Sequence, residues 1–308
     1  MREDELLTII KSVIGDQYIG DDCAYIKELG IVVSQDSLVE DIHFSLNYFT
    51  PYQLGYKSAT VNISDILASG GLPKYLTISL SFPKHITNEF VKEFYSGINQ
   101  ATKEYGDIKV IGGDLTGAEK IMVSITAIGC VGKRKVSSRS NAQTGQVIVT
   151  TGEHGSSGGG LKLLQNGIFE PKPLVESHLC PKLDYDKVKP LPEIIKTDYA
   201  MMDSSDGLVD TLFKIGQASN KTLRVDFDKL IYNKELEKVF PNDYKELILY
   251  GGEDYRIIAT VPKEIAERLN LTIIGEVEER QGDTPLIIDN CKPEPQKIHS
   301  LNGCYEHF

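Results

Sequence analysis

The chain has 308 residues, 41% of them hydrophobic and 25% charged, with a formal net charge of −11. That balance describes a globular protein with a proper core, long enough for two domains. The acidity argues against nucleic acid or an anionic membrane as the main partner, because phosphate-rich surfaces demand cationic protein. An acidic chain can still hold phosphates when metal ions stand between the two sets of negative charge. The five cysteines are scattered and form no C-x-x-C pair, so neither a zinc site nor a disulfide framework is indicated. Reduced thiols, an acidic start without a signal peptide and no apolar run near the roughly 20 residues of a membrane span predict a cytoplasmic protein.

Leu6, Leu7, Ile10 and Val13 recur at helical spacing and predict a helix over Glu3–Ile14. Gly20-Asp21-Asp22-Cys23-Ala24 is a glycine turn entering a strand. Adjacent aspartates there repel each other unless a cation or hydrogen-bond donors sit nearby. The apolar run Ile31–Val33 predicts a strand that ends at Ser34-Gln35-Asp36, with His43-Phe44 further on; Asp41 reads as surface charge. Residues 51–68 predict a helix opened by Pro51 and closed by Gly70-Gly71. Within it Asn62 and Asp65 share a face, and Asp65 stands among apolar neighbours, where a charge needs a partner. That partner is either a cap or Lys57, or else Asp65 is a metal ligand.

A strand over 75–82 and a helix over 85–105 follow. Lys109–Thr116 repeats the theme of apolar strand, Gly112-Gly113 turn and Asp114, and 121–131 alternates as a strand. The polar stretch 133–146, with Lys133, Arg134, Lys135 and Arg139, reads as a boundary between domains 1–136 and 137–308. After a strand at 146–150, the run Gly152–Gly160 suits either an anion-binding turn or close packing. Residues 178–192 read as irregular, followed by a short helix around 192–196. Met201-Met202-Asp203-Ser204-Ser205-Asp206 is an apolar strand leading into carboxylates, with Ser205 or Asp206 as a cap for a helix through Ser219. Gly251-Gly252-Glu253-Asp254-Tyr255 feeds another strand, and one more spans 271–277.

Asp22, Asp36, Asp65, Asp114, Asp203 and Asp206 thus stand at predicted element ends or in apolar surroundings. If they converge, they require cations, since like charges a few ångströms apart are strongly unfavourable. With no His/Cys cluster beside them, the expected ion is Mg²⁺, which completes its shell with water and substrate phosphates.

Taken together, these motifs resemble the thiamine-monophosphate kinase family: Gly20-Asp21-Asp22, Gln35-Asp36-Ser37 with His43-Phe44, Val61-Asn62-Ile63-Ser64-Asp65, Gly112-Gly113-Asp114, Arg139-Ser140, Asp203–Gly207, Gly251–Tyr255 and the terminal His307-Phe308. They occur in the family's order over nearly the whole chain. The resemblance implies an α/β (α+β) architecture, a two-domain aminoimidazole ribonucleotide synthetase-like fold with mixed sheets flanked by helices. It also implies a homodimer formed through the N-terminal domains, and ATP-dependent phosphorylation of thiamine monophosphate. Position by position, it implies Mg²⁺ ligation by Asp22, Ser34, Gln35, Asp36, Asp65, Asp114, Asp203 and Asp206, and ATP contacts from Gly113, Asp114, Arg139 and Ser205. His43 and Glu253 fall on acceptor positions, with Tyr305 as the candidate for the family's aromatic contact. Asp36, Asp114 and Arg139 are the expected catalytic residues. The acceptor is an anionic phosphate that needs no strong base, so direct transfer is expected. Gln35 stands where the family usually has Thr, and its side-chain amide or its backbone carbonyl could serve. Other ATP-using members of the superfamily, and a silent Mg-ATP-binding module, are the alternatives.

Overall fold

The computed structural model describes residues 3–301 and 304. The first half contains α1 (Glu3–Ile14), β1 (Ala24–Ile26), β2 (Ile31–Val39), α2 (Pro51–Ala68), β3 (Leu72–Phe82), α3 (Asn88–Glu104), β4 (Lys109–Gly117) and β5 (Met122–Cys130). The second contains β6 (Val147–Thr150), α4 (Ser156–Gln165), α5 (Lys172–Leu179), α6 (Tyr185–Val188), α7 (Leu191–Ile194), β7 (Met201–Asp203), α8 (Leu208–Ala218) and β8 (Lys221–Asp226). It continues through α9 (Lys234–Val239), α10 (Tyr244–Tyr250), β9 (Ile257–Val261), α11 (Lys263–Arg268), β10 (Thr272–Glu279), β11 (Leu286–Asp289) and β12 (Gln296–Ile298). Among the described residues the strands form a five-stranded sheet, β1-β2-β5-β3-β4, and a seven-stranded sheet, β12-β11-β8-β10-β6-β9-β7. Both are mixed: β3–β4 and β8–β11 run parallel and the other pairs antiparallel.

The central element is α2. Thr50 and Gln53 close a reciprocal capping box at its start, and Pro51 presets the first turn. Residues 54–64 are buried without interruption, so this helix is enclosed on all sides rather than amphipathic. One side carries Ile63, Ile66 and Leu67 into the core against the first sheet. Another meets α3 so closely that glycine is required: a Cβ on Gly55 would stand 1.9 Å from Phe94 O, and one on Gly97 2.0 Å from Tyr52 O. A third reaches the second half, where Ser64 Oγ donates to Asp203 Oδ2 at 2.5 Å.

Three local expectations change. Strand β2 does not stop at Val33; antiparallel pairing with β5 carries it through Val39, so Asp36 sits in mid-strand. Gly112-Gly113 is not a turn but lies inside β4, where Gly113 lets the backbone of β3 approach: a Cβ there would be 1.8 Å from Ile78 O. The stretch 178–192, expected to be irregular, contains the end of α5, all of α6 and the start of α7, which fits helices too short to show a hydrophobic period.

His154 supplies a test of the second half. It is fully buried with Nε2 2.8 Å from Thr150 Oγ1, and burial, aided by Arg256, pushes its pKa down to about 3. The unfolded chain takes up this proton near pH 6.5 while the folded one does not. The contribution of His154 is therefore present above pH 6.5 and lost as pH falls toward 3, at about 1.4 kcal/mol per pH unit. In denaturant melts, His154→Gln should flatten the stability profile between pH 6 and 4 by about one proton. An unchanged slope would contradict a neutral buried imidazole.

Candidate active site

The alternation of β2 sorts its side chains onto two faces. Val32, Ser34 and Leu38 are buried toward α2, and Asp36 shares their side of the strand. Asn62 Oδ1 accepts from Asp36 N at 3.0 Å, and Asn62 Nδ2 donates to Ser58 O, so α2 holds this stretch of β2 directly. Three residues along the same helix face, Asp65 accepts a short hydrogen bond from Ser34 Oγ. Lys57, the alternative partner for Asp65, turns elsewhere: its Nζ lies 2.9 Å from Glu253 Oε1.

Asp22, Asp36, Asp65 and Asp203 come close enough to act on one another. Burial, then Asp36, Asp203 and Asp22, push the pKa of Asp65 well up. Burial and Asp22 carry Asp203 up to about 8, against the Ser64 hydrogen bond. Burial also raises Asp22, although Arg139 opposes the shift through an ion pair with its carboxylate. Burial works against the charge of Arg139, but Asp22 outweighs it and the guanidinium is held above its usual pKa. The segment carrying Arg139 is clipped in place: Asp21 Oδ1 accepts from Arg139 N at 2.7 Å, and Ser219 Oγ donates to Arg139 O at 2.7 Å. Its Nε is buried without a hydrogen-bond partner among the described residues. Lys214 adds a cation, 2.7 Å from Asp210 and 3.4 Å from Asp206. That pair replaces the expected cap, since α8 starts at Gly207 with no side-chain cap.

Four neighbouring carboxylates, three of them pushed up in pKa, with one guanidinium among them, are short of positive charge. Oxygen donors in such a deficit fit a hard divalent cation. Among the described residues no three His, Cys, Asp or Glu side chains form a ready-made metal cage.

Not every expected ligand joins the group. Gln35 faces the other side of β2, where its amide donates to Ser124 Oγ at 3.2 Å and accepts from Thr126 Oγ1 at 2.9 Å. Its side chain is thereby excluded from the cluster, which leaves only the backbone carbonyl. Gly113 and Asp114 lie on β4, the edge strand, with β5 and β3 between them and β2. Three strand spacings put Asp114 roughly 14 Å from β2. Its register partner is Ser79, which pairs with Ser124, itself paired with Ser37, so Asp114 shares the outward face of the sheet.

The second group is built around Glu253. Glu253 and Tyr255 adopt left-handed backbone, φ 63° and 51°, costly for residues with a Cβ and maintained only where the surroundings impose it. Here Glu253 N donates to Ser205 O at 2.6 Å and Tyr255 N to Ser204 O at 3.2 Å. The Glu253 loop is thus fastened to the Asp203–Asp206 loop through the main chain. Burial opposes ionisation of Glu253, yet Lys57 first and His178 second hold its pKa below the usual range, and His43 adds to this. His43 Nδ1 accepts from Val39 N at 3.0 Å, so Nε2 carries the ring proton. Buried Tyr255 feels Glu253, Asp36, Asp203 and Asp206 at once and is the residue where the two groups meet. Asp254 takes both Gly155 N (2.6 Å) and Ser157 N (2.9 Å). The amides of Gly155 and Ser157 are therefore already used, and Gly160 serves packing: a Cβ on it would meet Leu174 O at 2.1 Å. Tyr305, His307 and Phe308 lie outside the described residues.

Lys57, His178, Lys214 and Tyr255 went unassigned in the sequence. Lys57 carried a signal, a second charge beside Asp65 in a helix that is otherwise uncharged; His178 carried none.

Comparison with known proteins agrees with this architecture. The family described as AIR synthase related protein, N-terminal domain, matches residues 20–131, which places the chain among proteins of the aminoimidazole ribonucleotide synthetase-like fold. It is 38% identical to the thiamine-monophosphate kinase of Bacillus subtilis (strain 168), across 95% of this chain and 94% of that protein. It is 35% identical to that of Aquifex aeolicus (strain VF5), across 94% and 95%. The structure of AaThiL complexed with AMPPCP and TMP superposes with a TM-score of 0.87 at 33% identity, covering 100% of this chain and 97% of that one. The chain belongs to the thiamine-monophosphate kinase family.

Proposed function

We propose that this chain transfers the γ-phosphoryl group of ATP to thiamine monophosphate, giving thiamine diphosphate, with several Mg²⁺ ions in the site. The observation that carries the reading is the main-chain bond from Glu253 to Ser205, which fastens the acceptor loop to the acidic loop. Two substrates held on two joined loops react without either having to be found again. Family membership and the relative's complex with AMPPCP and TMP support it.

Mg²⁺, when bound, would offset the repulsion between the acceptor phosphate and the ATP phosphates. Asp22, Asp36, Asp65, Asp203 and Asp206, with Ser34 and the Gln35 carbonyl, would hold it. Arg139, with an unused Nε donor, would bind phosphate oxygens, and Ser205 would contact ATP. His43 and Glu253 would orient the thiamine moiety, and Tyr305 would supply an aromatic surface. The acceptor oxygen is already anionic, so no residue needs to act as a strong base, and direct in-line transfer without a phosphoenzyme is the simplest course.

Asp114 and Gly113 enter this site from a second copy of the chain. Every residue of β4 is exposed, including Val110, Ile111 and Leu115, an open edge that invites pairing. A homodimer through the first half, residues 1–136, would bring a partner's β4 to the site; residues 137–308 form the second domain. The free thiols of all five cysteines support a cytoplasmic setting.

The test is ADP release with thiamine monophosphate, thiamine or neither, with and without Mg²⁺. Release should require both thiamine monophosphate and Mg²⁺. Equal release in all three acceptor conditions would defeat the reading.

A further inference from the structure

The acceptor group contains two residues to which the reaction as described gives no task. Lys57 is fully buried in α2, with its Nζ 2.9 Å from Glu253 Oε1 and 5.3 Å from the centre of the Phe49 ring. A buried ammonium is retained only where its partner is fixed, and stranding it is costly. His178, at the end of α5, is also buried. Its Nδ1 lies 3.3 Å from Glu253 Oε2 and 3.1 Å from Ser157 Oγ, and its ring packs edge-on against Phe49, 5.7 Å between centres. Its Nε2 has no hydrogen-bond partner among the described residues.

Glu253 is therefore flanked by two elements, one oxygen in an ion pair with Lys57 of α2 in the first half and the other beside the neutral His178 ring of α5 in the second. The carboxylate still keeps 26% of its side-chain surface open, so it presents lone pairs to the site in one fixed orientation. Thiamine offers a matching set of groups, an amine donor on its pyrimidine and a cationic thiazolium. A carboxylate free to rotate would have to be ordered on binding, whereas one already held binds at lower entropic cost.

We propose that Lys57 and His178 are positioning residues that fix Glu253 for recognition of the thiamine moiety and thereby set the affinity for the acceptor. This rests on the acceptor reading of Glu253 given above. The ion pair spans the two halves, so acceptor recognition depends on their correct apposition. Lys57 meets the Glu253 side chain, whereas Ser205 is bonded to the Glu253 main chain, so losing the ammonium should leave ATP binding nearly unchanged.

The experiment is steady-state kinetics on Lys57→Met, Glu253→Gln and the double variant, with thermal unfolding as the control for folding. Lys57→Met should raise KM for thiamine monophosphate tenfold or more, with kcat at saturation and KM for ATP within about twofold, the pattern of lost uniform binding. Because Lys57 acts through Glu253, the double variant should resemble the single ones instead of multiplying their effects. A purely structural ion pair would move stability and both KM values together. An unchanged KM for thiamine monophosphate, or multiplicative effects, would overturn the proposal. Should Lys57→Met not fold, the same cycle run with His178→Asn and Glu253→Gln decides it by the same criteria. If the unmodified protein shows no ADP release dependent on thiamine monophosphate, the function fails instead, before any variant is compared.

Discussion

Asp36→Ala is expected to lower turnover about a thousandfold while leaving the fold intact. The side chain lies on the α2 side of β2, among Asp65 and Asp203, and none of the core packing depends on it. Its main-chain N–H is bonded to Asn62, and that bond survives the substitution. Removing one carboxylate from a set whose members repel one another relieves Asp65, whose pKa Asp36 helps to raise, so stability without ligands should hold or rise slightly. On the function proposed, what is lost is a ligand for the charge between two phosphates, about 4 kcal/mol of transition-state stabilisation for a thousandfold in rate. The measurement is kcat at saturating ATP and thiamine monophosphate beside the melting temperature without ligands. A near-normal rate would make Asp36 a bystander, and a large drop in melting temperature would make it structural.

Gly97→Val is expected to have the opposite profile, a loss of folding with no chemical explanation. The main chains of α2 and α3 touch at Gly55 and Gly97, and the added atoms would meet Tyr52 O and Tyr56 N, at 2.0 and 2.7 Å already for Cβ. Those are backbone atoms of the helix that carries Lys57, Asn62, Ser64 and Asp65, so they cannot move aside without displacing both substrate groups. Overpacking usually costs 1–3 kcal/mol, and a clash with backbone belongs at or beyond the upper end, about 3 kcal/mol or more. Urea unfolding of the variant beside Gly97→Ala would show a graded loss. A Gly97→Val protein as stable as the parent would mean that the two helices stand further apart than described.

The clustering of Asp22, Asp36, Asp65 and Asp203 was partly legible, because a carboxylate at a strand end or in an apolar run must be explained by a partner, whereas Asp114 carries the same signal and lies apart on the edge strand. Asp65 is the clearest case, and the structure surrounds it with Asp22, Asp36 and Asp203. The helix 51–68 was legible through Pro51 at its start and Gly70-Gly71 at its end. The extension of β2 through Ser34–Val39 was not, because its outward side chains are polar and find partners in Ser124 and Thr126, leaving no hydrophobic alternation to read. The partner of Lys57 was hidden for another reason. Glu253 lies in the other half of the chain, and local spacing holds no information on such a contact. The Gly152–Gly160 run, which suited either an anion or close packing, has two of its amides, Gly155 and Ser157, taken by Asp254, a contact from far along the chain that the motif could not show.

The open edge of β4 also bears on the life of a newly made chain. Left uncovered, the outer edge of β4 presents the main-chain groups that do not bond to β3, beside Val110, Ile111 and Leu115, the kind of surface on which unrelated strands nucleate. The net charge of −11 keeps copies apart at long range and guards against indiscriminate clumping. Lys109 and Asp114 at the edge itself make a mismatched neighbour costly. Long-range repulsion thus comes from the whole chain, whereas the charges on the strand itself act only at contact.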